Sequence, residues 1–227
     1  MPADRAQEDW TRRGAVARSQ GRDHRTVQAQ LIREGWSVCG VGDWAVTLRC
    51  PDGSRVARVA PFDPAYPVFV ELCRRLPGSP YLPRIEADQQ LDGGGQFTVL
   101  EFLSEAPAEV SARVRHAWDE GADPALAAVR AAAEALNHEA ARTVPWWDGL
   151  DLNAGNIRVA ANGHPVLIDM FCVDGAGIYA ALLEDPGELA RRIPERDRRH
   201  LAEIAYISRT STPEEIAALQ AAVAALR

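Results

Sequence analysis

The stretch from Gly149 to Asp169, GLDLNAGNIRVAANGHPVLID, constrains this chain more than any other. Its second half reads as a hairpin: residues 157–160 and 165–168 are short apolar runs, and Ala161-Asn162-Gly163-His164 between them carries the Asn-Gly turn signal. Closing that hairpin brings Asn156 and Asp169 to neighbouring strand ends, with Asp151 five residues upstream of Asn156 in the preceding loop. Two carboxylates and an amide converging in this way form an oxygen-donor set for a hard cation such as Mg²⁺, and one acid can orient a hydroxyl. This is the kernel of a phosphoryl-transfer site.

The rest of the chain is large enough to serve such a site. At 227 residues it can bury a core and form one large domain or two lobes. No apolar run approaches the roughly 18 to 20 residues of a membrane span, and the polar first twenty residues lack a secretory apolar region. Cys39, Cys50, Cys73 and Cys172 form no CxxC pair, so neither a zinc motif nor a disulfide framework is indicated, and a cytoplasmic location is expected. Every one of the 25 basic residues is Arg. Residues 1–100 carry 13 Arg against 12 acids (+1), whereas residues 101–227 carry 12 Arg against 20 acids (−8). The acidic second half argues against a nucleic-acid partner and is compatible with a cationic small molecule.

In chain order, Val27, Leu31 and Ile32 repeat at helical spacing over residues 23–34, with Gly35 as a stop, so residues 1–35 are expected to form a helical extension. Residues 36–41, 45–49 and 55–60 read as three antiparallel strands, with Gly40 and Gly42 at the first bend and Pro51-Asp52-Gly53 at the second. Glycines there let the main chain approach phosphates, although a Gly-x-Gly alone is a weak signal. Arg58 sits in the third strand, and Glu71 in a helix over residues 64–76, where it can pair with Arg58 and hold it over a phosphate. A further hairpin over residues 84–100 runs into Glu101-Phe102-Leu103, after which the patterns become helical: 108–120, 124–142, then 178–183, 185–192, 195–208 and 213–226. His138 lies on a helix with no second His at metal spacing and reads as a packed or surface residue.

This order of parts resembles the protein-kinase-like superfamily, and is most similar to its bacterial aminoglycoside phosphotransferase and small-molecule kinase branch. The likeness spans residues 36–183 and is carried by D-L-N-A-G-N-I and V-L-I-D. It implies an α+β, bilobal fold: an N-lobe with a small antiparallel sheet over residues 36–103 and a helical C-lobe over 104–227, preceded by the helical extension. It also implies Asp151 as the residue that accepts or orients the substrate hydroxyl, with Asn156 and Asp169 holding Mg²⁺ on ATP. Gly40 and Gly42 would form the phosphate flap, Arg58 and Glu71 would sit at the nucleotide, and Glu101 to Leu103 would be the hinge that meets adenine through backbone groups.

Three positions depart from that pattern. Arg58 stands where the family has a strand lysine, Gly149 where the catalytic loop has His, and Met170-Phe171 where protein kinases have Phe-Gly. An Arg fork does not replace a lysine point charge without rearrangement. The chain after Asp169 has no A-P-E run, and Asn153 stands where most Ser/Thr protein kinases have Lys. The expected activity is thus transfer of the ATP γ-phosphate to a small hydroxylated, cationic acceptor. Two alternatives stay open: a pseudokinase-type module that binds nucleotide or a protein partner without turnover, and a Ser/Thr protein kinase.

Overall fold

The computed structural model describes residues 21–226; the expected helical character of residues 1–20 lies outside that range. The architecture is mixed α+β, as the sequence implies, and the chain divides into two compact units. The first comprises the residues up to Asp63, Glu86–Leu100, and those from Gly175 onward; the second comprises Pro64–Ile85 and Glu101–Asp174.

In the first unit, α1 (His24–Arg33) begins where the Asp23 carboxylate accepts the Thr26 amide at 2.8 Å, and Gly35 follows its last turn at φ 88°. The strands are β1 (Ser37–Val41), β2 (Val46–Arg49), β3 (Arg55–Ala60), β4 (Ile85–Gln90) and β5 (Gln96–Glu101), in the sheet order β1-β2-β3-β5-β4. The first three pair antiparallel, with a bulge in β1 between Val38 and Gly40. Val27 and Leu31 of α1 join Trp36, Leu48, Ala57, Val59, Phe97 and Val99 in one core. Burying each such aliphatic side chain stabilises by roughly 1.5–3 kcal/mol, which fixes α1 to this sheet face. Since side chains alternate along a strand, Arg58 faces away from α1 while Ala57 and Val59 face it.

The C-terminal segment from Gly175 groups with this unit. It runs through α5 (Gly175–Glu184), α6 (Pro186–Arg192), α7 (Glu195–Arg198), a 3₁₀ turn (Leu201–Glu203), α8 (Ala205–Thr210) and α9 (Pro213–Ala225). Helical periodicity says which face of a helix is apolar and nothing about which sheet receives it. The attachment is specific: a Cβ on Gly94 would lie 1.9 Å from the Asp197 carbonyl oxygen, and the Tyr206 amide donates to the Asp43 carbonyl at 2.9 Å. The helix expected over 195–208 is broken, because His200 is buried, the Leu201 carbonyl accepts the Tyr179 hydroxyl at 3.0 Å, and Ile204 is extended. Buried Arg198 donates to Ile193 O at 2.6 Å and Leu226 O at 2.7 Å, tying down the end of α9. Thr212 and Glu215 form the capping box that starts α9.

The second unit contains α2 (Tyr66–Arg75), β6 (Ser104–Glu105), α3 (Ala108–Glu120), α4 (Pro124–Thr143), β7 (Trp147–Leu150), a 3₁₀ turn (Ala154–Asn156), β8 (Ile157–Val159), β9 (Pro165–Leu167) and β10 (Phe171–Val173). Asp123 caps α4 by accepting the Ala125 and Leu126 amides, and Pro124 takes the first position, where no amide is missed. Arg75 of α2 reaches Glu139 of α4 at 2.9 Å. The expected hairpin is present: β8 and β9 pair antiparallel around Gly163 at φ 83°, and β6 adds a third strand. The pairing of β7 with β10 had no signal in the sequence. Among the described residues no helix is long and apolar enough to cross a membrane.

Candidate active site

The β7–β10 ribbon is what assembles the acids. Its register sets Leu150 opposite Phe171 and Gly149 opposite Cys172, so Asp151, just past β7, lies beside the residues that lead into β10. The Asp151 amide donates to the Met170 carbonyl at 2.8 Å and locks this arrangement. Gly149 sits at φ 106°, a conformation that a side chain at this position would strain, which accounts for the glycine where the family pattern has His. Asp169 is itself left-handed at φ 50°, a bend that turns the chain from the hairpin into β10.

Asn156 joins the two acids. Its Nδ2 donates to the Asp151 carbonyl at 3.0 Å, to Asp151 Oδ2 at 3.3 Å and to the Asp169 carbonyl at 3.0 Å. Its own carbonyl accepts the Ile168 amide at 2.8 Å, so the loop and the hairpin end are stitched from both sides. Because the amide nitrogen serves all three acceptors, the side-chain oxygen remains as the atom to offer a cation. The three residues the sequence singled out as catalytic or metal-binding are therefore brought together within the second unit.

Asn153 completes the site and was missed as a functional residue in the sequence. Its Oδ1 accepts the Gly155 amide at 2.7 Å and the Asn156 amide at 3.2 Å, capping the 3₁₀ turn, while its Nδ2 donates to Asp151 Oδ2 at 2.7 Å. Asn-x-Gly before a turn was the available signal, since Asn caps by bonding the backbone two residues on. The Asp151 carboxylate is thus held by two amides, which fix its direction without neutralising it. The half-buried Cys172 thiol nearby is pushed up to about 11, first by burial and then by the charges of Asp148, Asp151 and Asp169. Asp151 and the Asn156 side-chain oxygen, with Asp169 at the hairpin end, are oxygen donors of the kind that suits Mg²⁺.

The nucleotide-binding residues expected on the sheet are otherwise engaged. Arg58 is buried at 8 % exposure, with its Nη2 on Asp63 Oδ2. Glu71 pairs with Arg75 at 3.1 Å, one helical turn away. Arg58 thus has an ion-pair partner within the first unit and Glu71 one within the second. Gly40 and Gly42 flank an exposed bend, but the Gly42 amide donates to the Ala45 carbonyl at 2.9 Å and closes the turn. Arg209 of α8 donates to Val41 O at 3.4 Å, Gly42 O at 3.1 Å and Asp43 Oδ1 at 2.7 Å, so the bend is clamped from outside. Neither glycine has a positive φ, and a Cβ at either would meet nothing closer than 3.6 Å. Glu101 ends β5 with its carboxylate on the Arg84 amide at 2.9 Å, and half-buried Leu103 leads into β6. His138 is exposed, its ring nitrogen 2.8 Å from the Glu134 carbonyl, as a surface residue should be.

No family model and no curated protein matches the chain. Among solved structures, it is similar to the crystal structure of the Mycobacterium tuberculosis PknI kinase domain, at 16 % sequence identity and a TM-score of 0.29 over 85 % of this chain and 96 % of that one.

Proposed function

We propose that this protein is an ATP- and Mg²⁺-dependent phosphotransferase acting on a hydroxyl of a small, cationic molecule. The observation that carries the reading is the convergence of Asp151, Asn156 and Asp169, with the Asp151 carboxylate aimed by the side-chain amides of Asn153 and Asn156. Phosphoryl transfer asks a protein for positioning and charge neutralisation more than for covalent chemistry. Asn156 Oδ1 and Asp169 would hold Mg²⁺, which when bound offsets negative charge on the transferring group. Asp151 accepts the proton of the acceptor hydroxyl as its oxygen bonds to the γ-phosphorus and the bond from that phosphorus to the ADP oxygen breaks. The two amides on Asp151 set the direction from which the hydroxyl approaches. The acidic second half of the chain favours a cationic acceptor.

The test is turnover of ATP to ADP with a panel of hydroxylated amines, alongside thermal shift with ATP and Mg²⁺. Turnover that disappears in folded Asp151→Ala and Asp169→Ala supports the reading. A second reading, a nucleotide-binding module without turnover, is favoured by the engagement of Arg58 with Asp63 and by the Arg209 clamp on the glycine bend. Nucleotide-dependent stabilisation without transfer would select it, and the absence of both effects would remove each.

A further inference from the structure

Within the first unit, away from the acids described above, His24, His200 and Glu203 meet around one point, their ligand-capable atoms all within 4.8 Å of one another. His24 opens α1; His200 and Glu203 flank the 3₁₀ turn before α8. His200 Nδ1 lies 2.8 Å from Glu203 Oε1, and His24 Nε2 lies 3.3 Å from Glu203 Oε2. The two rings stand edge to face, with centroids 4.9 Å apart. Both histidines are buried at 7 % exposure.

Two details distinguish this cluster from an ordinary packed histidine pair. His24 Nδ1 is buried with no hydrogen-bond partner, so the polar contact of this imidazole with the surrounding protein is the one its Nε2 makes to Glu203. His200 is fixed in place by a bare backbone: a Cβ on Gly93 would come within 2.6 Å of its Nε2, and Gly93 is at φ 82°. A tetrahedral site with bonds near 2.0–2.2 Å needs ligand atoms about 3.3–3.5 Å apart; the His24–Glu203 separation of 3.3 Å meets the lower end of that span, and the His200–Glu203 separation of 2.8 Å is a hydrogen-bond contact that a bound ion would widen. Arg25 also donates to Glu203 Oε2, at 2.7 Å, which leaves Oε1 and the remaining lone pairs of the carboxylate available. His24 and Glu203 further line a cavity of about 430 Å³, together with Gln28, Trp44 and Ser208, giving the open side room for a water ligand.

We infer that His24, His200 and Glu203 form a binding site for a borderline divalent transition metal of the Zn²⁺ class. Two imidazoles and one carboxylate suit such an ion, whereas Mg²⁺ takes an all-oxygen set, so this site and the Asp151 cluster select different metals. The site joins the N-terminal helix to the C-terminal segment across 176 positions of sequence, and occupancy would pin both to the same sheet.

The experiment is calorimetric titration of the metal-stripped full chain with Zn²⁺, and with Co²⁺ read by its visible absorption. The expected result is one saturable Zn²⁺ site per chain and a tetrahedral Co²⁺ band, both retained in the Asp151→Ala/Asp169→Ala double variant. His24→Ala should weaken binding more than about hundredfold, since even the outer partners of metal ligands are worth 10- to 100-fold. Because loss of a buried ring can compromise folding, Glu203→Gln, which keeps the side-chain shape, is measured in parallel with circular dichroism. Loss of the site in folded Glu203→Gln supports the assignment. Absence of saturable binding by the wild-type chain, or binding that persists in folded Glu203→Gln or His24→Ala, overturns it.

Discussion

Asn153→Ala separates the two things that Asn153 does. Its Oδ1 caps the 3₁₀ turn through the Gly155 and Asn156 amides, and its Nδ2 holds Asp151 Oδ2 at 2.7 Å. Losing an Asn cap costs about 0.5–2 kcal/mol. The amide-to-carboxylate bond, at an exposed residue and therefore screened, adds about 0.5 kcal/mol. Local opening of the loop should become easier by about 1–2.5 kcal/mol, which is an increase of roughly 5- to 70-fold in the hydrogen-exchange rate of the Gly155 amide. Asn153→Ser keeps an oxygen that can cap and removes the donor to Asp151, so Gly155 protection should largely return while phosphotransfer stays about tenfold below wild type. Asn153→Asp keeps the cap but sets a second carboxylate against Asp151, so it should be well protected and less active still. Unchanged Gly155 exchange in the alanine variant would refute the capping argument. Equal turnover in the serine variant and wild type would refute the orienting role.

Gly94→Ala should destabilise the first unit by more than about 3 kcal/mol, because the new Cβ would meet the Asp197 carbonyl oxygen at 1.9 Å and Gly94 is at φ 94°; a melting temperature within a degree of wild type would show that the close approach is not maintained in solution. Iodoacetamide at pH 8 should modify exposed Cys39 well before Cys73 and Cys172, which burial pushes up to about 12 and about 11; mass spectrometry showing Cys172 modified as fast as Cys39 would contradict the carboxylate field around it.

What the sequence revealed and what it hid follow one division. Local signals were legible: the Asn-Gly hairpin and the glycine stop after α1 both formed. These depend on residues within a few positions of one another, where the chemistry of a turn or a cap is written in the side chains themselves. Pairings between distant segments were not legible. The β7–β10 ribbon that unites Asp151 with Asp169 lies in strands of four and three residues, too short for alternation to register. The attachment of residues 175–226 to the sheet depends on close contacts at Gly93 and Gly94, glycines that read from the sequence only as a turn. The same holds for the His24–His200–Glu203 cluster, whose members show no metal-ligand spacing along the chain. Asn153 falls between the classes: its capping role was written locally, whereas its hold on Asp151 depends on the loop's final shape.

The two units also bear differently on the proposed chemistry. Asp151, Asn156 and Asp169 all lie within one unit. In the sheet unit the positive charge of Arg58 is set against Asp63, a carboxylate buried at 5 % exposure. Replacing Arg58 would remove one ion-pair partner of that buried acid and cost folding free energy. Loss of activity in an Arg58 variant would consequently report on folding as much as on phosphate binding. Asp63→Asn paired with an Arg58 substitution removes the stranded charge and isolates the nucleotide term. On the proposed reading, charge on the transferring phosphate would be offset by a metal held by Asn156 and Asp169, and it is at those residues, with Asp151 beside them, that substitution distinguishes a phosphotransferase from a binding module.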